Sequence, residues 1–115
     1  MNLTFQDLGN TRLIVAGEPR IDAAVAIQFK DRMREIMDAG PERFILDMSA
    51  VDFLDSSGLG AVVAAMKQVG AGKTFELAEL TPAVKKVFAL TRMDTVFRIH
   101  PNAQAALETE PTHAP

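Results

Sequence analysis

Residues 53–66 read FLDSSGLGAVVAAM: an apolar pair, an acid, two serines and a glycine, and then a run with helical spacing. Leu59, Val62, Val63 and Met66 fall at i, i+3, i+4 and i+7. That spacing predicts a helix with these four side chains facing inward, finishing at Gly70-Ala71-Gly72. Immediately upstream, residues 43–49, RFILDMS, form an apolar run of strand length that is expected to be buried and central, and residues 50–55, AVDFLD, read as an irregular link. The two serines therefore stand where a strand hands over to a helix. At such a junction the first backbone N–H groups lack helical partners and about half a positive charge accumulates, so a polar or anionic group is stabilised there. Ser56 is read as the capping residue, accepting from a free N–H, and Gly58 as the position that keeps the first turn narrow enough for something to approach the backbone. On spacing alone this is simply a good helix start.

Working outward, Leu3 and Phe5 alternate with polar neighbours, Gly9-Asn10 offers a tight turn, and RLIVAG follows, a β-hairpin pattern. From Asp22, read as an N-cap, Ala26, Phe29, Met33 and Ile36-Met37 recur at helical spacing until Gly40-Pro41. Residues 73–80, KTFELAEL, alternate as a strand with one covered face would. Thr81-Pro82 reads as a cap with proline in the first turn of a helix whose Val84, Val87 and Phe88 face inward. Residues 95–99, TVFRI, read as a last strand, and Pro101-Asn102 opens a final helix through Leu107. Strands alternating with helices imply parallel crossovers beside an antiparallel N-terminal pair. The expected fold is α/β: one domain over residues 1–108, a small mixed sheet, about four helices mostly on one side, and a frayed tail over 109–115.

Composition narrows the function. At 115 residues, with 48% hydrophobic and 23% charged content, the chain suits one globular core without staples. It has no cysteine, which removes disulfides, thiol nucleophiles and zinc–thiolate sites and suits a reducing compartment, so a cytoplasmic protein is expected. Residues 1–10 lack a basic segment followed by an apolar one, and no apolar run approaches the roughly 18 residues needed to span a bilayer, so no membrane insertion is expected. A net charge of −3, with scattered lysines and arginines and neither tryptophan nor tyrosine, argues against direct nucleic-acid binding. The expected partner is another protein.

Residues 43–99 resemble the STAS domain family, and within it the bacterial anti-sigma factor antagonists: an apolar strand with Asp47, then DSSGLG, a glycine-punctuated turn, a strand, and PAVKKVF. Residues 12–24, RLIVAGEPRIDAA, resemble the family's second strand and its approach to the first helix. The resemblance implies that Ser56, the first serine of DSSGLG, is phosphorylated by an anti-sigma factor that is also a serine kinase, and that a serine phosphatase reverses this. It implies further that the unmodified protein binds the anti-sigma factor and frees sigma. Asp22, Asp55, Ser56, Ser57, Gly58, Lys67 and Gln68 would form the partner surface. The protein would be no enzyme and would need no cofactor or metal, and its oligomeric state is open. The alternative is a non-switching STAS scaffold or accessory subunit of a sensory or lipid-transport complex. Two departures stand out. GEPRIDAA is longer than the family's usual Gly-x-x-Asp approach, which puts the place of Asp22 in question, and Arg92 stands where some relatives carry a helix-terminating glycine.

Other motifs point to no chemistry. GAGKT, residues 70–74, resembles the tail of a phosphate-binding loop, yet Lys67 stands where that motif needs glycine and the turn follows a helix and opens a strand, the reverse of the required context. A serine hydrolase needs a base beside its nucleophile; the histidines are His100, just past the last strand, and His113 in the tail, and no GxSxG occurs. Asp47, Asp52 and Asp55 read as capping or solvated carboxylates in preference to a metal cage. Lys85-Lys86 reads as a solvated helix face, and Met33, Met37 and Met66 as core.

Overall fold

The computed structural model describes residues 1–109. The hairpin forms as the spacing predicts: β1 (Leu3–Leu8) and β2 (Thr11–Ala16) pair antiparallel with Leu8 opposite Thr11, and Gly9 takes the positive φ, +63°, that the two-residue turn requires. After a two-residue strand β3 (Arg20–Ile21), helix α1 (Ala26–Met37) leads to β4 (Arg43–Asp47). A second two-residue strand β5 (Phe53–Leu54) precedes α2 (Ser56–Lys67), β6 (Thr74–Ala78), α3 (Pro82–Leu90), a 3-10 turn (Met93–Thr95), β7 (Ile99–His100) and α4 (Ala103–Leu107). The main sheet runs β1-β2-β4-β6-β7, parallel except for the β1–β2 pair, and β3 and β5 form a separate parallel ribbon.

β4 is the middle strand, and four of its five residues are buried because both faces of the sheet are covered. Phe44 and Leu46 enter the large core with Phe29, Met33, Val62 and Phe88, from α1, α2 and α3. Ile45 turns the other way and meets Ala78, Ala106 and Leu13 beneath α4. Three helices thus lie on one face and the short fourth on the other, the mixed sheet with mostly one-sided helices that the sequence implies.

Several elements differ from expectation for identifiable reasons. Asp22 does not cap α1: its Oδ1 accepts from the Ala24 N–H at 3.1 Å and its carbonyl from Val25 and Ala26, a local turn that delays the helix to Ala26. The left-handed residue after α1 is Ala39, φ +53°, not Gly40, whose missing side chain instead makes room for the Phe44 ring. In α2 the buried residues are Gly58, Ala61, Val62 and Ala65, while Leu59, Val63 and Met66 only flank the core. The stripe is rotated because neighbouring apolar rows on one helix are equally periodic, and only the surrounding packing selects which one faces inward. β6 has both faces buried, Glu76 included, because α4 closes the second face. Thr81 precedes α3 without capping it; its hydroxyl donates to the Val51 carbonyl at 2.7 Å, tying α3 to the link before β5. Arg92 occupies the left-handed region itself, φ +62°, at a cost on the order of 1 kcal/mol. Residues 95–99 are not a strand: the 3-10 turn occupies their start and β7 begins at Ile99, since Phe97 is drawn inward against Phe75 and Phe88 at ring-centre distances of 6.2 and 5.7 Å.

Of the tail expected over 109–115, Thr109 has a carbonyl that accepts from Arg43 at 2.8 Å, and residues 110–115, with His113, lie outside the described residues.

Candidate functional site

The serines follow the short strand β5 and its acid Asp55, where α2 starts. Asp55 is the N-cap in extended conformation, φ −97° and ψ −174°, and its Oδ1 accepts from the Gly58 N–H at 2.8 Å. The capping role expected of Ser56 therefore belongs to its neighbour, and Ser56 is the first residue of the helix. An aspartate caps at least as well as a serine and also complements the helix dipole. As a result the Ser56 and Ser57 side chains are exposed, and neither hydroxyl has a hydrogen-bond partner among the described residues.

The second oxygen of Asp55 crosses to another segment: Oδ2 accepts from the Ala23 N–H at 3.1 Å, 32 residues away in sequence. This joins the start of α2 to the loop that carries Asp22. Despite the longer GEPRIDAA approach, Asp22 thus lies one residue from a direct contact of the serine junction; its other oxygen meets Arg20 Nε at 3.4 Å. Gly58 is buried, and what approaches its backbone is the chain itself. A Cβ built on Gly58 would stand 1.9 Å from the Ile21 carbonyl oxygen. Lys67 and Gln68 are exposed at the far end of α2, about 17–18 Å from Ser56 at 1.5 Å rise per residue. The structure so gathers Asp22, Asp55, Ser56, Ser57 and Gly58, and sets Lys67 and Gln68 apart along the same helix.

Arg20 and Phe53 also belong to this surface and were not singled out in the sequence. The β3–β5 register puts them opposite one another, and the Arg20 guanidinium lies 4.2 Å from the centre of the Phe53 ring, which is 39% exposed. Nothing in local periodicity announces a two-residue strand, and the exposure of Phe53 is visible only in the fold.

The STAS domain profile matches residues 4–106. The chain belongs to the STAS domain family. BtrV of Bordetella bronchiseptica is 28% identical over 116 residues, covering 100% of this chain and 99% of that protein. The anti-sigma-F factor antagonist RsfB of Mycobacterium tuberculosis is 27% identical over 95 residues, 83% of this chain and 76% of RsfB. In structure, this STAS domain is similar to the anti-sigma factor antagonist SpoIIAA in its unphosphorylated form, with a TM-score of 0.74 at 20% identity over 93% of this chain and 94% of SpoIIAA. The Bacillus SpoIIAA structure in the phosphorylated form aligns with a TM-score of 0.67 at 19% identity, covering 93% and 97%.

Elsewhere in this STAS domain, Lys73, Asp47 and His100, set aside in the sequence, have structural partners. Lys73, the lysine of GAGKT, donates Nζ to the Gly40 carbonyl at 2.9 Å, and the Asp47 side chain accepts from the Ser49 N–H at 2.8 Å. Among the described residues no three His, Cys, Asp or Glu side chains gather as metal ligands would, and no helix is long and apolar enough to cross a membrane. His100 is buried, its Nε2 2.7 Å from Glu76 Oε1. Arg43 grips the same carboxylate with Nε at 2.9 Å and Nη2 at 2.8 Å, and Thr74 adds its hydroxyl at 3.1 Å. Burial alone would raise the Glu76 pKa, but the bonds from Arg43 and His100 outweigh it and hold the carboxyl below its ordinary range. This ion cluster lies away from the serines and fastens α4 to the sheet, with Arg43 also donating to the Ala106 carbonyl at 2.8 Å.

Proposed function

We propose that this STAS domain is an anti-sigma factor antagonist switched at Ser56. The unmodified protein binds an anti-sigma factor that is also a serine kinase and so releases sigma; the kinase phosphorylates Ser56 and ends the complex, and a phosphatase restores it. The observation that carries this reading is the capping of α2 by Asp55, which leaves the Ser56 hydroxyl exposed and unengaged at the first helical position. A hydroxyl spent on the cap would have to be released before modification. The names of RsfB and SpoIIAA, and the existence of a phosphorylated SpoIIAA structure, support the same role.

The electrostatics suit a switch without refolding. A phosphate adds about −1.5 to −2 charges and three strong acceptors, and a helix N-terminus stabilises such a group on the free domain. A partner docked over Ser56 would have to desolvate that charge or meet it with its own carboxylates. A thousandfold loss of affinity needs only about 4.1 kcal/mol, within reach of one desolvated double charge.

Intact-mass spectrometry with fragmentation, on protein taken from its native cells under several growth conditions, tests the reading. One condition-dependent phosphate on Ser56 is expected, absent in Ser56→Ala. Ser56→Asp is expected to weaken association with the co-purifying kinase about a thousandfold. Phosphate on Ser57 instead would move the switch one residue, and its absence under every condition would leave a non-switching scaffold as the function.

A further inference from the structure

Two segments more than thirty residues apart meet at Ser56, and the contacts between them form a continuous series. The Pro19 carbonyl accepts from the Asp52 and Phe53 N–H groups at 2.8 and 3.1 Å. Next, β3 pairs with β5 and Arg20 stacks on Phe53. Then the Ile21 carbonyl closes on Gly58, where no side chain fits. Finally Asp55 Oδ2 takes the Ala23 N–H while its Oδ1 caps α2. Of the first three, the Ile21–Gly58 contact is buried, whereas Arg20 and Phe53 stand on the exposed surface. The last reaches its edge, because Ala23 and Ala24 are exposed like Ser56. The loop is anchored on either side by Ile21 in the core and Val25 packed against it, but no side chain of Ala23 or Ala24 holds it between them, so the place of these two residues next to the serine rests on that one carboxylate and on the Asp22 turn.

We infer that Asp55 is a positioning residue for recognition of Ser56: by fastening the loop at Ala23 to the first turn of α2, it makes one composite surface that the kinase partner reads together with the serine. The inference rests on the proposed modification of Ser56. It differs from a purely structural cap because the two oxygens do separable work. In Asp55→Asn one oxygen remains to cap Gly58, but the amide –NH2 cannot accept from Ala23. In Asp55→Ser the hydroxyl oxygen still caps the helix and is too short to reach the loop.

The test uses the full chain in both variants, with Asp52→Asn as a control that removes a neighbouring carboxylate whose side chain makes none of these contacts. Amide hydrogen exchange by NMR is expected to show Ala23 exchanging at least about tenfold faster in Asp55→Asn and Asp55→Ser, the size of one charge-assisted hydrogen bond, with Gly58 protected as in the parent. Introduced at the native locus, the same two variants are expected to lose about tenfold in Ser56 phosphate occupancy by intact mass while remaining folded at the growth temperature, and Asp52→Asn keeps it. Unchanged Ala23 exchange would show that Asp55 does not hold the loop and would overturn the inference. Faster exchange with normal phosphate occupancy would overturn it too, since the loop would then lie outside the recognised surface. If the parent protein itself carries no phosphate in any condition, the Ser56 switch fails with its recognition surface, and the exchange data still decide whether Asp55 holds the loop.

Discussion

Gly58 is the residue on which the serine junction depends most sharply. A methyl group there would stand 1.9 Å from the Ile21 carbonyl oxygen, and because that neighbour is backbone held by its pairing with β5, it cannot swing aside. Alanine gains about 1 kcal/mol of helix propensity over glycine, so in an open helix the exchange would be stabilising. Here Gly58→Ala is expected to cost about 2–3 kcal/mol through forced backbone displacement, measured by urea unfolding. Unaltered stability would mean that β3 yields freely, and the series of contacts behind Ser56 would not be rigid. Gly60, two residues on, has open space where its Cβ would stand, so Gly60→Ala is the matched control and is expected to gain up to about 1 kcal/mol. The glycines of GLG look alike in the sequence; only the position of Ile21 tells them apart.

At the scale of elements, α2 shows how a correct helix can carry a misplaced face. Its start at the serines and its end before Gly70 agree with the pattern of residues 53–72, yet fully buried Val62 is joined by Ala61 and Ala65, not by Leu59 and Met66. Small residues let a helix approach its neighbours closely, and a row of alanines is a weak hydrophobic signal beside leucine and methionine. Val62→Ala is accordingly expected to cost about 2 kcal/mol, and Leu59→Ala, which only flanks the core, about 1 kcal/mol. Chemical denaturation of the pair checks the order; a larger loss at Leu59 would restore the face that periodicity alone suggests. The β3–β5 ribbon had no comparable signal, because two residues per strand carry no period and their pairing partner lies more than thirty positions away.

Across the whole molecule, the buried Arg43–Glu76–His100 cluster joins β4, β6, β7 and α4 on the face opposite the large core. Removing one partner of a buried pair strands the other charge, so Glu76→Gln is expected to cost about 3–5 kcal/mol by thermal or urea unfolding. The pH dependence has a definite sign. Because the folded state depresses the Glu76 pKa, its contribution is present above the ordinary carboxylate pKa of 4.5 and is lost as pH falls through the lower folded value. Unfolding free energies from pH 6 down to pH 3 are therefore expected to fall more steeply for the parent than for Glu76→Gln, and parallel slopes would show that Glu76 is not the group being titrated. By itself the amino-acid sequence determined the hairpin, the central strand, the start of α2 at two serines and the family, because these rest on local spacing and on a contiguous motif. Only the tertiary structure decided that Asp55 and not Ser56 caps the helix, that Asp22 serves a turn, that Glu76 is buried and that Gly58 faces Ile21. The burial of Glu76, the closeness of Gly58 to Ile21 and the second bond of Asp55 to Ala23 each depend on a group from a distant segment, and such a meeting leaves no trace in the local order of residues; the Asp22 turn and the Asp55 cap are local, but several nearby acids and serines could have served there equally well.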